Sequence, residues 1–170
     1  MKNDRLRSVV ASALMTALVL MMTMVLRVPS PTQGYMNMGD AAVLLSAWLL
    51  GPWWGAAAAG IGSGLADLLS GAAYYLPGTL IIKAGMAIIA GLLTRSMRRQ
   101  SRTSFWPHFF GGLAAELFMV AGFFGYSYLL LGKTLTPALL AALGNLTQGG
   151  VCLVLALLLK AGFYAVYKHD

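Results

Sequence analysis

The stretch AAAAGIGSGLADLLSG, Ala56 to Gly71, lies inside an apolar segment and consists mostly of residues with little or no side chain. In a bilayer, two helices gain little from burying apolar surface against each other, so close packing through small residues drives their association. Ala56, Gly60 and Gly64 recur every four residues and lie on one face of a helix. The stretch therefore predicts a central helix that its neighbours approach closely, with an ionisable residue, Asp67, near its end.

The composition indicates an integral membrane protein. Of the 170 residues, 59% are hydrophobic and 10% are charged, whereas soluble domains contain about 25% charged residues. The mean hydropathy is +0.75. The net charge of +7 is explained by the distribution of lysine and arginine between the two sides of a membrane, so we expect no nucleic-acid partner.

Six apolar segments predict an all-α membrane protein, a bundle of six transmembrane helices that forms a single domain over 1–170. The first segment follows a basic N-terminus but is longer than the core of a secretory signal, which is about 7–15 residues, so we interpret it as a retained helix. Pro29 and Pro31 predict a loop over 28–37. The predicted spans are about 8–27, 38–50, 52–70, 78–95, 106–131 and 137–165.

The orientation follows from the lysines and arginines. If the N-terminus is cytoplasmic, Arg27 and Lys133 are the only basic residues in outside segments, and Lys83 lies within a helix. The remaining basic residues then fall on the inside, including the run RSMRRQSR over 95–102. Positive charge favours the cytoplasmic side, so both termini are predicted to be cytoplasmic.

Polar residues within the spans are candidates for a binding site, because an ionisable group in a bilayer is costly unless it is paired or hydrated. By depth they gather in the outer half of the bundle, near two tyrosines and an asparagine of the outer loops. The alternatives are a structural ion pair between Asp67 and Lys83, and interhelical hydrogen bonding by Asn145 and Gln148. Asp40 is interpreted as a helix cap beside Gly39. The candidate substrate-binding residues are Asn37, Asp67, Tyr74, Tyr75, Lys83, Glu116, Asn145 and Gln148.

The sequence carries no pattern of a familiar enzyme. It has no HExxH, no GxSxG and no GxxxxGK[ST], and therefore predicts no catalytic set, no metal site, no cofactor and no ATP hydrolysis of its own. Cys152 is interpreted as a small buried residue within an apolar run.

Several short motifs together resemble those of the substrate-binding S-component of energy-coupling factor (ECF) transporters, over essentially the whole chain. The most specific region is 34–83, and the first helix adds an AxxxA-like face at Ala13 and Ala17. The resemblance is closest to the riboflavin-type branch, which also includes proteins assigned to pyridoxine or hydroxymethylpyrimidine. The motifs read NMGD over 37–40, LGP over 50–52, GSGLAD over 62–67 and PGTLIIK over 77–83.

The resemblance implies high-affinity binding of a vitamin or vitamin precursor in an outward pocket that the first outer loop caps. It also implies a transmembrane coupling subunit and two ATPase subunits, on which the protein topples within the bacterial plasma membrane. Ala13 and Ala17 would dock on the coupling subunit; the alternative is that they pack inside the bundle. Tyrosines beside a mixed-charge pocket suit a small heteroaromatic ring, for which a pyridoxine-like compound is the first choice and riboflavin the second.

Two other classes compete with this reading. A self-sufficient secondary transporter or channel would need no partner, but many such transporters contain an internal repeat of broken helices, and none is evident here. A membrane enzyme would need reactive residues, which the sequence does not supply.

The orientation can be tested by labelling single cysteines in a variant that carries Cys152→Ala. A membrane-impermeant thiol reagent added outside intact cells should modify Thr134→Cys and leave Ser101→Cys unmodified, because the two positions lie in loops on opposite sides. Permeabilised cells provide the control, since both cysteines should then react. Labelling of Ser101→Cys alone in intact cells would contradict the proposed topology.

Overall fold

The computed structural model describes residues 2–25, 27–30, 34–97 and 104–167. Six α-helices account for most of this part of the chain, which confirms the predicted all-α bundle. A π-helical turn, Tyr126–Leu130, continues the fifth helix, and two short strands, β1 (Arg27–Ser30) and β2 (Gly34–Asn37), connect the first two helices. The helices are α1 Lys2–Val25, α2 Gly39–Leu50, α3 Pro52–Leu69, α4 Leu76–Met97, α5 Phe105–Gly125 and α6 Leu135–Tyr167.

Short connections make successive helices antiparallel, so the bundle has two distinct ends. The hairpin end carries β1, β2 and the connections at 70–75 and 131–134; the terminal end carries the start of α1, the Gly51 turn and the end of α6. Within the described part of the chain, four segments are long and apolar enough to cross a membrane: Arg5–Val25, Leu76–Met97, Phe105–Leu130 and Leu135–Ala165. The 12 residues of α2 extend only about 18 Å, because Gly51 and Pro52 end it early.

The third helix is central, as its small residues predict. A Cβ added at Gly62 would lie 2.7 Å from the carbonyl oxygen of Thr16 in α1, and one added at Gly60 would lie 3.1 Å from the carbonyl oxygen of Leu80 in α4. A side chain at either glycine would therefore meet the backbone of a neighbouring helix. The absence of side chains lets α1 and α4 pack closely against α3.

The first outer segment differs from the prediction. Instead of a loop over 28–37, β1 and β2 form an antiparallel hairpin that pairs Arg27 with Asn37 and Ser30 with Gly34. Proline is tolerated in such a ribbon because each strand has an outer edge that needs no ladder hydrogen bond. Residues 31–33, between the two strands in sequence, lie outside the described residues. Of the basic run 95–102, predicted as a cytoplasmic loop, 95–97 belong to α4, and 98–102 lie outside the described residues.

The first helix presents two different faces. Ser12, Val19 and Thr23 are buried against the bundle, whereas the side chains of Ala13 and Ala17 are exposed. Ala13 and Ala17 therefore do not pack inside the bundle, whereas Ser12 does.

Candidate functional site

A buried ion pair lies between α2 and α4, below the hairpin end. The Lys83 ammonium contacts the Asp40 carboxylate through Nζ and Oδ1, and the exposed fractions of the two residues are 6% and 0%. Asp40 was predicted to be a helix cap, and this interpretation is wrong, because its carboxylate oxygens bond to Lys83 and Gln148 and not to the backbone at the start of α2. Its carboxylate instead neutralises the lysine, as a charge within a bilayer requires.

Gln148 of α6 joins the ion pair to the hairpin. Its Nε2 donates a hydrogen bond of 2.6 Å to Asp40 Oδ2, and its Oε1 accepts one of 2.9 Å from the backbone N–H of Asn37. The Asn37 side chain accepts a bond of 3.0 Å from the backbone N–H of Gly39, and the Cys152 thiol donates to the Asn37 carbonyl oxygen at 3.4 Å. The end of β2 is thus bonded directly to the polar residues beneath it.

Glu116 of α5 completes this group, which we call the polar cluster. The residue is 4% exposed, and both carboxylate oxygens are buried without a hydrogen-bond partner among the described residues. It lies within electrostatic range of Asp40 and Lys83, and a Cβ added at Gly149 would be 3.0 Å from its Oε2. The polar cluster comprises Asn37, Asp40, Lys83, Glu116, Gln148 and Cys152.

A tyrosine cluster occupies the hairpin end, formed by Tyr74, Tyr75 and Tyr126. The ring centroids of Tyr74 and Tyr75 are 4.7 Å apart, and those of Tyr75 and Tyr126 are 6.2 Å apart. The Tyr126 hydroxyl donates to the Tyr74 carbonyl oxygen at 2.8 Å, and Lys133 Nζ donates to the Tyr75 hydroxyl at 2.6 Å. The π-helical turn that starts at Tyr126 is a distortion often found at functional sites.

An aromatic side chain of α5 also contacts the polar cluster. Lys83 Nζ lies 5.3 Å from the centroid of the Phe123 ring, within the range of a cation–π interaction. The lysine is therefore held by an ion pair on one helix and an aromatic ring on another.

The structure brings together most, but not all, of the predicted site residues. Asn37, Lys83, Glu116 and Gln148 meet in the polar cluster, and Tyr74 and Tyr75 lie in the tyrosine cluster, where Tyr74 is exposed. Asn145 is half-buried and lies one turn from Gln148, on the same side of α6.

Asp67 does not join the polar cluster through Lys83. It is half-buried at the end of α3, where its carbonyl oxygen accepts a bond of 2.9 Å from the Ala72 N–H. The predicted alternative of an Asp67–Lys83 ion pair is wrong, because α2 packs against α4 and presents Asp40 to the lysine.

Three residues of the two clusters were missed from the sequence: Asp40, Cys152 and Tyr126. Asp40 carried a usable signal, since it is an ionisable residue beside an apolar run and lies three positions after Asn37. Its place at a helix start offered a simpler explanation. Cys152 and Tyr126 carried no such signal, because a cysteine or a tyrosine in an apolar helix is ordinarily a packing residue.

A concave region lies at the opposite, terminal end. This groove of about 650 Å³ is lined by residues of α2, the α2–α3 turn, α4 and α6, including Trp48, Arg95 and Tyr164. Nearby, His108 is buried, and its Nδ1 lies 3.0 Å from Lys160 Nζ. None of the predicted substrate-binding residues lines the groove.

The fold is a bundle of apolar, membrane-type helices with polar residues buried beneath a hairpin. The chain matches the family described as ECF-type riboflavin transporter, S component, over residues 3–165, and it belongs to that family. This finding confirms the resemblance seen in the motifs. The family is one of substrate-binding components of transporters and not a family of enzymes.

One solved structure is similar in fold, and one further protein is similar in sequence. The fold is similar to that of the S component of a bacterial ECF transporter, with a TM-score of 0.79 over 99% of both chains at 19% identity. The chain is also 35% identical to a protein of Pyrococcus woesei described as "Uncharacterized protein in gap 3'region". The alignment spans 111 residues, which are 65% of this chain and 71% of that protein.

The ion pair predicts strong coupling between two substitutions. Asp40→Leu or Lys83→Met alone should each lower the free energy of unfolding by about 3 kcal/mol, because each removes one partner of a buried, hydrogen-bonded ion pair. The double variant should lose much less than the sum, with a coupling energy of about 1–3 kcal/mol. Unfolding in detergent measures this cycle.

The control is the cycle of Asp67→Asn with Lys83→Met, which should be additive. Additive behaviour of the Asp40 and Lys83 substitutions would show that the ion pair contributes nothing to stability.

Proposed function

We propose that this protein is the high-affinity binding subunit of an ECF-type importer for a small heteroaromatic vitamin or precursor. A pyridoxine-like compound is the first choice and riboflavin the second. The observation that carries the proposal is the polar cluster, in which Gln148 links the end of the hairpin to the charged residue Asp40 within the bundle. Binding pockets combine apolar walls with a few placed polar groups, and the two clusters together supply both.

In this proposal, the tyrosine cluster stacks against the ligand ring and the polar cluster forms hydrogen bonds with its edge. Tyr75 offers an aromatic face for stacking against the ligand ring. Lys83, Asn145 and Gln148 offer hydrogen bonds to hydroxyl groups on the ring edge. Asn37 connects the hairpin to Gln148, so a ligand that enters from the hairpin end must displace or reshape this connection.

Transport requires partners, in this proposal a transmembrane coupling subunit and two ATPase subunits. The chain contains no GxxxxGK[ST] loop with which to use ATP itself. The exposed Ala13 and Ala17 offer a surface on which another helix can approach closely. The protein would lie in the bacterial plasma membrane with both termini cytoplasmic, and toppling on the coupling subunit would carry the site to the inside.

Purification without the partner subunits tests the binding function. Protein extracted in mild detergent should copurify with a heteroaromatic vitamin or precursor, which denaturation releases for mass spectrometry. Calorimetric titration of ligand-stripped protein with pyridoxine and with riboflavin then measures affinity. A preparation that releases no such compound and binds neither probe would refute the proposal, and uptake without the ATPases would instead indicate a self-sufficient transporter.

The docking surface is tested by Ala13→Trp combined with Ala17→Trp. The double variant should keep the ligand affinity of the isolated protein, because both side chains point out of the bundle. It should lose uptake and copurification with the coupling subunit, since two bulky rings prevent close approach of a partner helix.

The matched control is Leu14→Trp with Leu18→Trp, which has the same spacing on an exposed neighbouring face of α1. This pair should retain most of the uptake. Normal uptake by the alanine double variant, with the complex intact, would show that α1 does not dock through these residues.

A further inference from the structure

The buried charges of the polar cluster do not balance. Asp40 and Lys83 neutralise each other, and the additional acid, Glu116, lies within electrostatic range of both. Among the side chains of the polar cluster, Lys83 is the only cation. A second carboxylate in this environment therefore needs either a proton or a positive charge from elsewhere.

The hydrogen bonds distinguish the two carboxylates. Asp40 uses one oxygen for Lys83 and the other for Gln148. Glu116 has both oxygens buried with no partner among the described residues. Buried polar groups are almost always hydrogen-bonded, and an exception calls for an explanation such as a functional role.

We propose that Glu116 receives a protonated nitrogen of the ligand, so that this binding subunit selects heteroaromatic compounds that carry a basic nitrogen. This inference rests on the proposed function and specifies its substrate class. The ligand supplies both the missing positive charge and the missing hydrogen-bond donor. A charge-assisted hydrogen bond of this kind is about twice as strong as a neutral one.

The groups around Glu116 are compatible with a cation. Lys83 on α4 would repel it, but Asp40 on α2 already compensates that charge. From α6, Gln148 presents a neutral amide, and Gly149 presents no side chain, so that its backbone lies close to Glu116 Oε2. Cys152 adds a thiol that donates to the Asn37 carbonyl oxygen.

The chemistry separates the candidate ligands. A pyridine or an aminopyrimidine has a basic ring nitrogen, whose cationic form can donate directly to a carboxylate. The isoalloxazine ring of riboflavin is neutral near pH 7 and lacks such a nitrogen. Glu116 therefore favours a pyridoxine-like or aminopyrimidine compound over riboflavin.

The test uses Glu116→Gln, which keeps the size of the side chain and removes its charge. Pyridoxine, 4-amino-5-hydroxymethyl-2-methylpyrimidine and riboflavin are titrated calorimetrically into the ligand-stripped full chain. Wild-type protein should bind one of the two basic compounds more tightly than riboflavin. The substitution should weaken that binding by about tenfold or more, as expected for the loss of a charge-assisted bond, and should not weaken the binding of riboflavin, which has no protonated nitrogen to lose.

A second measurement separates a binding role from a structural one. Without ligand, Glu116→Gln should raise the melting temperature, because it removes a buried carboxylate that has no partner. The matched control is Asp40→Asn, the same chemical change at the paired carboxylate, which should lower it. A lower melting temperature for Glu116→Gln would show that Glu116 stabilises the bundle, and would overturn the inference.

The outcomes also separate a failure of the proposed role of Glu116 from a failure of the proposed binding function. A copurified vitamin without a basic nitrogen, or unchanged affinity of Glu116→Gln for the basic compound, would overturn the role of Glu116 and leave the binding function intact. A protein that copurifies with no compound and binds none of the three probes would overturn both.

Discussion

The ion pair between Lys83 and Asp40 is the interaction on which the hairpin end of the bundle depends. A charged side chain within a bilayer is tolerated only when it is paired or hydrated. The pair fixes α2 against α4, and Gln148 extends it to α6 and to the end of β2 through two further hydrogen bonds. The position of the hairpin is therefore set by buried charge and not by apolar packing alone.

Close packing of α3 against α1 and α4 helps to hold Lys83 beside Asp40. Because Gly60 and Gly62 place no side chain against α4 and α1, the three helices can approach at backbone distance. Helices that pack so closely leave little freedom for α4 to rotate, so Lys83 is held toward Asp40. The small residues that determine the fold thus also determine where the charge lies.

The sequence predicts the positions of the helices better than the side-chain contacts between them. Helix bounds follow from apolar length and from Pro52, which begins α3. The contact between Asn37 and Gln148 joins residues 111 positions apart, and depth alone cannot identify it. Depth places Asp67 and Lys83 in the same half of the bundle, but the choice of Asp40 as the partner depends on how the helices are rotated, which periodicity did not determine.

The hairpin marks a second limit of the sequence. Two prolines favour a loop, and the short strands form only because their backbones pair with each other. Local propensity is a weak guide here, since in β-structure the pairing partner decides the conformation. The π-helical turn that begins at Tyr126 was likewise not predicted, because no residue pattern in the sequence indicates it.

The two carboxylates of the polar cluster show why stability and binding make opposite demands. Asp40 is fully satisfied, and a residue of this kind specifies one arrangement of the helices. Glu116 is buried without a hydrogen-bond partner among the described residues, which lowers the stability of the protein alone. A group that lowers stability is tolerated where function requires it. In this proposal, the hydrogen-bonding capacity of the Glu116 carboxylate is not used by the folded protein and is available to the ligand. The affinity for the ligand would then depend on the hydrogen bonds that the Glu116 carboxylate does not make in the unliganded protein.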